Sequence, residues 1–180
     1  MKILNIHGFR GVPDNGVYHA LKRLADPIGA EIVSPTIDYD RDGAPACAAR
    51  FRALVETERP DLVAGMSLGG FFAGLLCAEY HLPTILVNAC LLPFVHLPRL
   101  DYAGDVRAYM SLFPALSGIR PADAFVLIGG KDEIVDTHDF TRHLLQGARF
   151  YEFPEGKHES TTLGLDVAFE DVFRRLRFFS

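Results

Sequence analysis

Short apolar runs alternate along the chain with longer stretches in which apolar residues recur every three or four positions. Residues 2–6 (KILNI), 30–34 (AEIVS), 61–66 (DLVAGM), 84–88 (TILVN), 124–130 (AFVLIGG) and 149–153 (RFYEF) have the length and composition of buried strands. Val17, Leu21 and Leu24 mark a helix over 15–26, and Ala48, Phe51, Leu54 and Val55 mark one over 44–58 that Pro60 stops. Phe71, Phe72, Leu75 and Leu76 give a third over 68–80. Phe140, Leu144 and Leu145 give a fourth over 136–146, and Leu165, Phe169, Val172, Phe173 and Leu176 a last one over 162–177. Strand and helix in alternation predict an α/β fold, a three-layer α/β/α sandwich on about six mostly parallel strands. Ligand sites in such sheets gather beyond the carboxyl ends of the strands. Residues 91–121 break the rhythm, with four prolines among many apolar residues. Their length favours a lid or specificity segment over a packed connector.

At 180 residues the chain is expected to form a single domain over 1–180. Its 49% hydrophobic content excludes a disordered chain. A net charge of -5 and the lack of any Lys/Arg-rich run argue against nucleic acid or an anionic membrane as partner. Cys47, Cys77 and Cys90 are odd in number and widely spaced, which reads as reduced thiols in a cytoplasmic protein. Cys90, just past a strand, reads as a buried inert thiol. The N-terminal apolar run is too short for a signal peptide, and no run approaches a membrane span.

Candidate chemistry lies at the strand ends. Gly65-Met66-Ser67-Leu68-Gly69 sits where a strand must reverse into a helix. Glycines two positions either side let the turn close and lift the serine hydroxyl into a site. A serine needs a base held by a third group. His158, in the loop after the last strand, is the candidate base, and Asp132, directly after the fifth strand, the candidate acid. Asp136 reads as a helix cap and Glu133 as solvated. The order Ser67, Asp132, His158 fits a hydrolase triad with all three groups on one edge of the sheet. An oxyanion hole would use the backbone N–H groups of Leu68 and of Phe9, where Gly8 lets the turn pass close. His7 is expected to brace that turn. Gly8, Arg10 and Phe94 are the candidate substrate-binding residues.

With these residues placed, the chain resembles the α/β-hydrolase superfamily over nearly its whole length. It resembles most the small bacterial esterase group typified by YqiA, with YcfP-like relatives (the UPF0227 family). The matching pieces are IHGF at 6–9, GMSLGGFFA at 65–73, LVNAC at 86–90, GGKDEIVD at 129–136 and GKHE at 156–159. The resemblance implies that Ser67, Asp132 and His158 are nucleophile, acid and histidine, that His7 to Phe9 form the oxyanion loop, and that no metal or organic cofactor is used. Two departures stand out. Asn88-Ala89-Cys90 replaces the Asn-Pro often found after the fourth strand, and the eight-stranded core is trimmed.

The favoured expectation is a serine esterase or thioesterase acting on a small-molecule acyl ester or thioester. The alternative is a non-catalytic ligand-binding module on the same fold. A metal site in the cluster Asp132, Glu133, Asp136, His138 and Asp139, with His143 nearby, is the weakest reading. His138 and His143 are five apart and do not share a helical face.

Overall fold

The computed structural model describes residues 1–179. Six strands, β1 (Lys2–Ile6), β2 (Glu31–Val33), β3 (Leu62–Met66), β4 (Thr84–Val87), β5 (Ala124–Gly129) and β6 (Arg149–Phe153), form one sheet in the order β2-β1-β3-β4-β5-β6. Every neighbouring pair is parallel. The helices described are α1 (Gly16–Ala25), α2 (Tyr39–Glu58), α3 (Leu68–Tyr80), α4 (Pro93–His96), α5 (Arg107–Leu112), α6 (His138–Leu144) and α7 (Leu165–Arg175). Among the described residues no helix is long and apolar enough to cross a membrane.

The four central strands β1, β3, β4 and β5 are apolar on both faces because both faces are covered. Leu4, Ile6, Val63, Leu86, Val126 and Ile128 point to a core shared with α2, α3 and Tyr109 of α5. Their alternates Ile3, Leu62, Ala64, Ile85, Val87 and Leu127 meet α1 and α7. This period of two sends alternate residues to opposite cores. Helix α3 is buried over its whole first ten residues, whereas α1 and α7 each bury one stripe. The strand order reverses direction between β1 and β3, and that switch point opens a crevice at their carboxyl ends.

Three expected elements differ in detail. The helix expected over 44–58 is the second part of α2, which is kinked at Gly43 with φ 70°. Pro45 fits there because it falls in the first turn of the part that follows the kink. The helix expected over 136–146 starts only at His138, so Asp136 is not its cap. Asp136 is drawn away by Arg99, whose Nη1 donates to it at 3.1 Å. The helix expected over 162–177 starts at Leu165, after a separate 3-10 turn at Ser160–Thr162.

Segment 91–121 folds as α4, α5 and short 3-10 turns. It is anchored by Leu91, Leu97, Tyr109 and Leu116, each at most 1% exposed. Tyr109 meets Phe71 and Phe72 edge-on at 5.6 and 6.0 Å. His96 of α4 is buried and hydrogen-bonds Thr137 at 2.9 Å through Nε2 and Oγ1. The segment is thereby joined to the loop after β5.

Candidate active site

Ser67 links β3 directly to α3 with φ 52° and ψ -121°. Such a conformation costs a non-glycine residue about 1–3 kcal/mol and persists only where the surroundings over-determine it. Here they do. The Ser67 N–H donates to Val87 O at 3.0 Å, and its carbonyl accepts from the N–H groups of Gly70 and Cys90, both at 2.9 Å. The flanking glycines are steric requirements. A Cβ on Gly65 would lie 2.5 Å from Gly69 O and 2.6 Å from Ala73 Cβ. One on Gly69 would press into Ile6 O and lie 2.5 Å from His7 O. These obstacles are backbone atoms and one Cβ, and none can rotate away. Gly69→Ala is therefore expected to destabilise the protein by about 1–3 kcal/mol or more, read as a lower urea midpoint.

The turn after β1 passes over the serine. A Cβ on Gly8 would sit 3.0 Å from Ser67 Cβ. Leu68 opens α3, so its N–H has no acceptor within the helix. Among the described residues the Phe9 N–H has none either. His7 braces the turn as expected. Its Nδ1–H donates to Gly8 O at 2.8 Å, its Nε2 accepts from Ile37 N–H at 3.0 Å, and the Tyr39 hydroxyl donates to its carbonyl at 2.7 Å.

Burial lowers the His7 pKa from 6.5, against the opposing pull of the Gly8 carbonyl. Above about pH 6.5 the ring is neutral in both the folded and unfolded states. As pH falls, the unfolded chain takes the proton first, so stability declines below that point. His96, also lowered by burial, acts in the same direction. Urea midpoints measured from pH 7.5 down to pH 5 should fall in the wild type. They should fall less steeply in His7→Gln, whose amide oxygen can still accept from Ile37.

Asp132 lies in the loop after β5 with its side chain 1% exposed. Oδ1 accepts from the N–H groups of Ile134 and Val135 at 2.9 and 2.8 Å. His158 Nδ1 lies 3.0 Å from both oxygens, and His138 Nε2 lies 2.9 Å from Oδ2. Burial pushes the Asp132 pKa up, but the bonds from His138, His158 and Val135 outweigh it and hold the carboxyl well below the usual carboxylate range. A carboxylate only accepts, so His158 carries its hydrogen on Nδ1 and turns Nε2 outward as an acceptor. The exposed Glu133 accepts the His158 backbone N–H at 3.2 Å.

Ser67 and His158 line one cleft of about 330 Å³, together with Phe9, Val12, Asn15 and Met66. Among the described residues no hydrogen bond joins the serine and the histidine, a common looseness in a site without substrate. Gly8 also lines the cleft, whereas Arg10 and Phe94 do not. Arg10 donates through Nε to Asp40 at 3.1 Å and through its terminal nitrogens to Leu100 O and Asp101 O at 3.3 and 3.0 Å. Phe94 packs edge-on against Phe113 at 5.5 Å.

Two positions escaped sequence reasoning. Asn88 accepts from Gly129 N–H at 2.8 Å and donates to Lys157 O and His158 O at 2.8 and 3.2 Å, fastening the histidine loop to β5. His138 was legible only as part of a charged cluster. That cluster is divided in the structure: Asp136 pairs with Arg99 and Asp139 with Arg142. No group of three ligating side chains that could hold a metal occurs among the described residues. Beside Asn88, Ala89 Cβ occupies the space a side chain on Gly70 would need. Cys90 is buried and its thiol is pushed up to about 12 by burial, which keeps it protonated and unreactive.

Comparison with known proteins agrees with this architecture. Est1E from Butyrivibrio proteoclasticus is 16% identical with a TM-score of 0.70, the match covering 98% of this chain and 87% of that one. MGS-MChE2, an α/β hydrolase enzyme from the metagenome of sediments of the Mar Chica lagoon, Morocco, is 14% identical with a TM-score of 0.70, covering 99% and 92%. The methylesterase MES16 from Arabidopsis is 14% identical with a TM-score of 0.65, covering 99% and 100%. No curated protein matches the sequence. The family model described as Uncharacterised protein family (UPF0227) matches residues 2–152. The chain has the α/β-hydrolase fold and belongs to the UPF0227 family.

Proposed function

We propose that the protein is a serine hydrolase that cleaves a small-molecule carboxylic ester or thioester through an acyl-enzyme on Ser67. The observation that carries this reading is a strained serine sharing a cleft with a histidine whose far nitrogen is bound to a buried carboxylate. In this reading the Ser67 hydroxyl attacks the acyl carbonyl while His158 Nε2 takes its proton. The Phe9 and Leu68 N–H groups receive the oxyanion. The imidazolium returns the proton to the departing alcohol or thiol, and water repeats the sequence to release the acid. Asp132 orients His158 and stabilises its charged form. No metal or organic cofactor takes part in these steps. The buried free thiols fit the reducing cytoplasm that the reading assigns.

The test is intact mass after exposure to a fluorophosphonate, with p-nitrophenyl butyrate turnover in parallel. One adduct and turnover in the wild type, both absent from Ser67→Ala, support the reading. A folded wild type with neither would replace it with ligand binding.

A further inference from the structure

We propose that His138 is a positioning residue for Asp132, holding its carboxylate in the plane that His158 requires. The inference rests on the serine-hydrolase reading and adds a residue to it.

The backbone N–H groups of Ile134 and Val135 both bind Oδ1. Rotation about the Cβ–Cγ bond moves both oxygens together, and these two bonds resist it from one side of the carboxylate only. His138 adds resistance on the other side by binding Oδ2 at 2.9 Å from the first residue of α6. With both oxygens pinned, His158 Nδ1 sits 3.0 Å from each. Asp132 is 1% and His138 9% exposed at the side chain, so water is a poor substitute for this bond.

A second observation argues that the imidazole is not there for stability. His138 Nδ1 is buried with no hydrogen-bond partner among the described residues. An unpartnered buried nitrogen is destabilising, and an apolar side chain of similar size would avoid it. Polar groups that break a local rule in this way concentrate at functional sites.

The test compares His138→Leu, which removes the donor, with His138→Gln, whose amide can reach Oδ2. The readouts are p-nitrophenyl butyrate kinetics, fluorophosphonate labelling rate and urea midpoint. In His138→Leu, kcat and labelling rate should fall about 10- to 100-fold with KM unchanged, because a misplaced acid affects the chemical step and not binding. The urea midpoint should change little, the bond lost at Oδ2 being offset by removal of the unpartnered Nδ1. His138→Gln should recover most of the loss. Undiminished kcat in folded His138→Leu would overturn the proposal. So would a His138→Gln as slow as His138→Leu at an unchanged midpoint, which would indicate packing alone. If His138→Leu does not fold, His138→Asn replaces it, being too short to reach Oδ2. A wild type that neither labels nor turns over overturns the hydrolase reading and this one with it. A labelled wild type with unaffected variants overturns this one alone.

Discussion

Ser67→Ala is expected to lower ester turnover about 10⁴-fold or more and to abolish the fluorophosphonate adduct. The residual rate over water would come from the oxyanion donors and from binding, which the substitution leaves in place. Stability should barely change. The Ser67 side chain does not cap α3, and alanine keeps the same backbone bonds, donating to Val87 and accepting from Gly70 and Cys90. Alanine also inherits the strain at φ 52°. Ser67→Gly would relieve it and stabilise the protein by about 1 kcal/mol or more, read as a higher urea midpoint, at the same loss of turnover. A variant that is inactive yet as stable as the wild type, or more so, separates a chemical role for the serine from a structural one.

Asp132→Asn is the second large effect, expected at about 10⁴-fold in kcat. The structure supplies a specific reason. Ile134 and Val135 N–H both require an acceptor at the Oδ1 position. The new amide must therefore turn its oxygen to them and its NH₂ to the imidazoles. One of the two acceptors 3.0 Å from His158 Nδ1 thereby becomes a donor, which favours the tautomer with the hydrogen on Nε2, the nitrogen that should take the serine proton. Asp136→Asn should leave turnover close to wild type, because Asp136 is exposed and occupied with Arg99. Stopped assays on the two variants at equal folded concentration decide the assignment; a greater loss in Asp136→Asn would refute it.

The strands and most helices were legible because burial on both faces of a parallel sheet leaves an unbroken apolar signature, as in KILNI and TILVN. The elbow was legible because its steric demand falls on fixed neighbours, Gly65 and Gly69. The Asp132–His158 pairing followed from chain order along one sheet edge. What escaped were bonds between distant loops. Asn88 lies 41 residues from Gly129 and 70 from His158, and Arg10 lies 90 from Leu100. No periodicity encodes such a contact. The Asp136 cap failed for a related reason: a local rule for helix starts lost to a cation supplied by the far segment.

The ties of segment 91–101 to its neighbours bear on how this cleft can change in evolution or in the hands of an engineer. Arg10 binds the carbonyls of Leu100 and Asp101, while His96 and Arg99 hold Thr137 and Asp136. One short stretch thus fastens both the turn after β1 and the loop that carries Asp132. A substitution there would disturb two halves of the site together without touching the cleft lining. Val12 of the cleft wall is 55% exposed, whereas Asn15 caps α1 and Gly16 abuts Ser160. New substrate ranges within this lineage should arise first at Val12, leaving the strut unchanged.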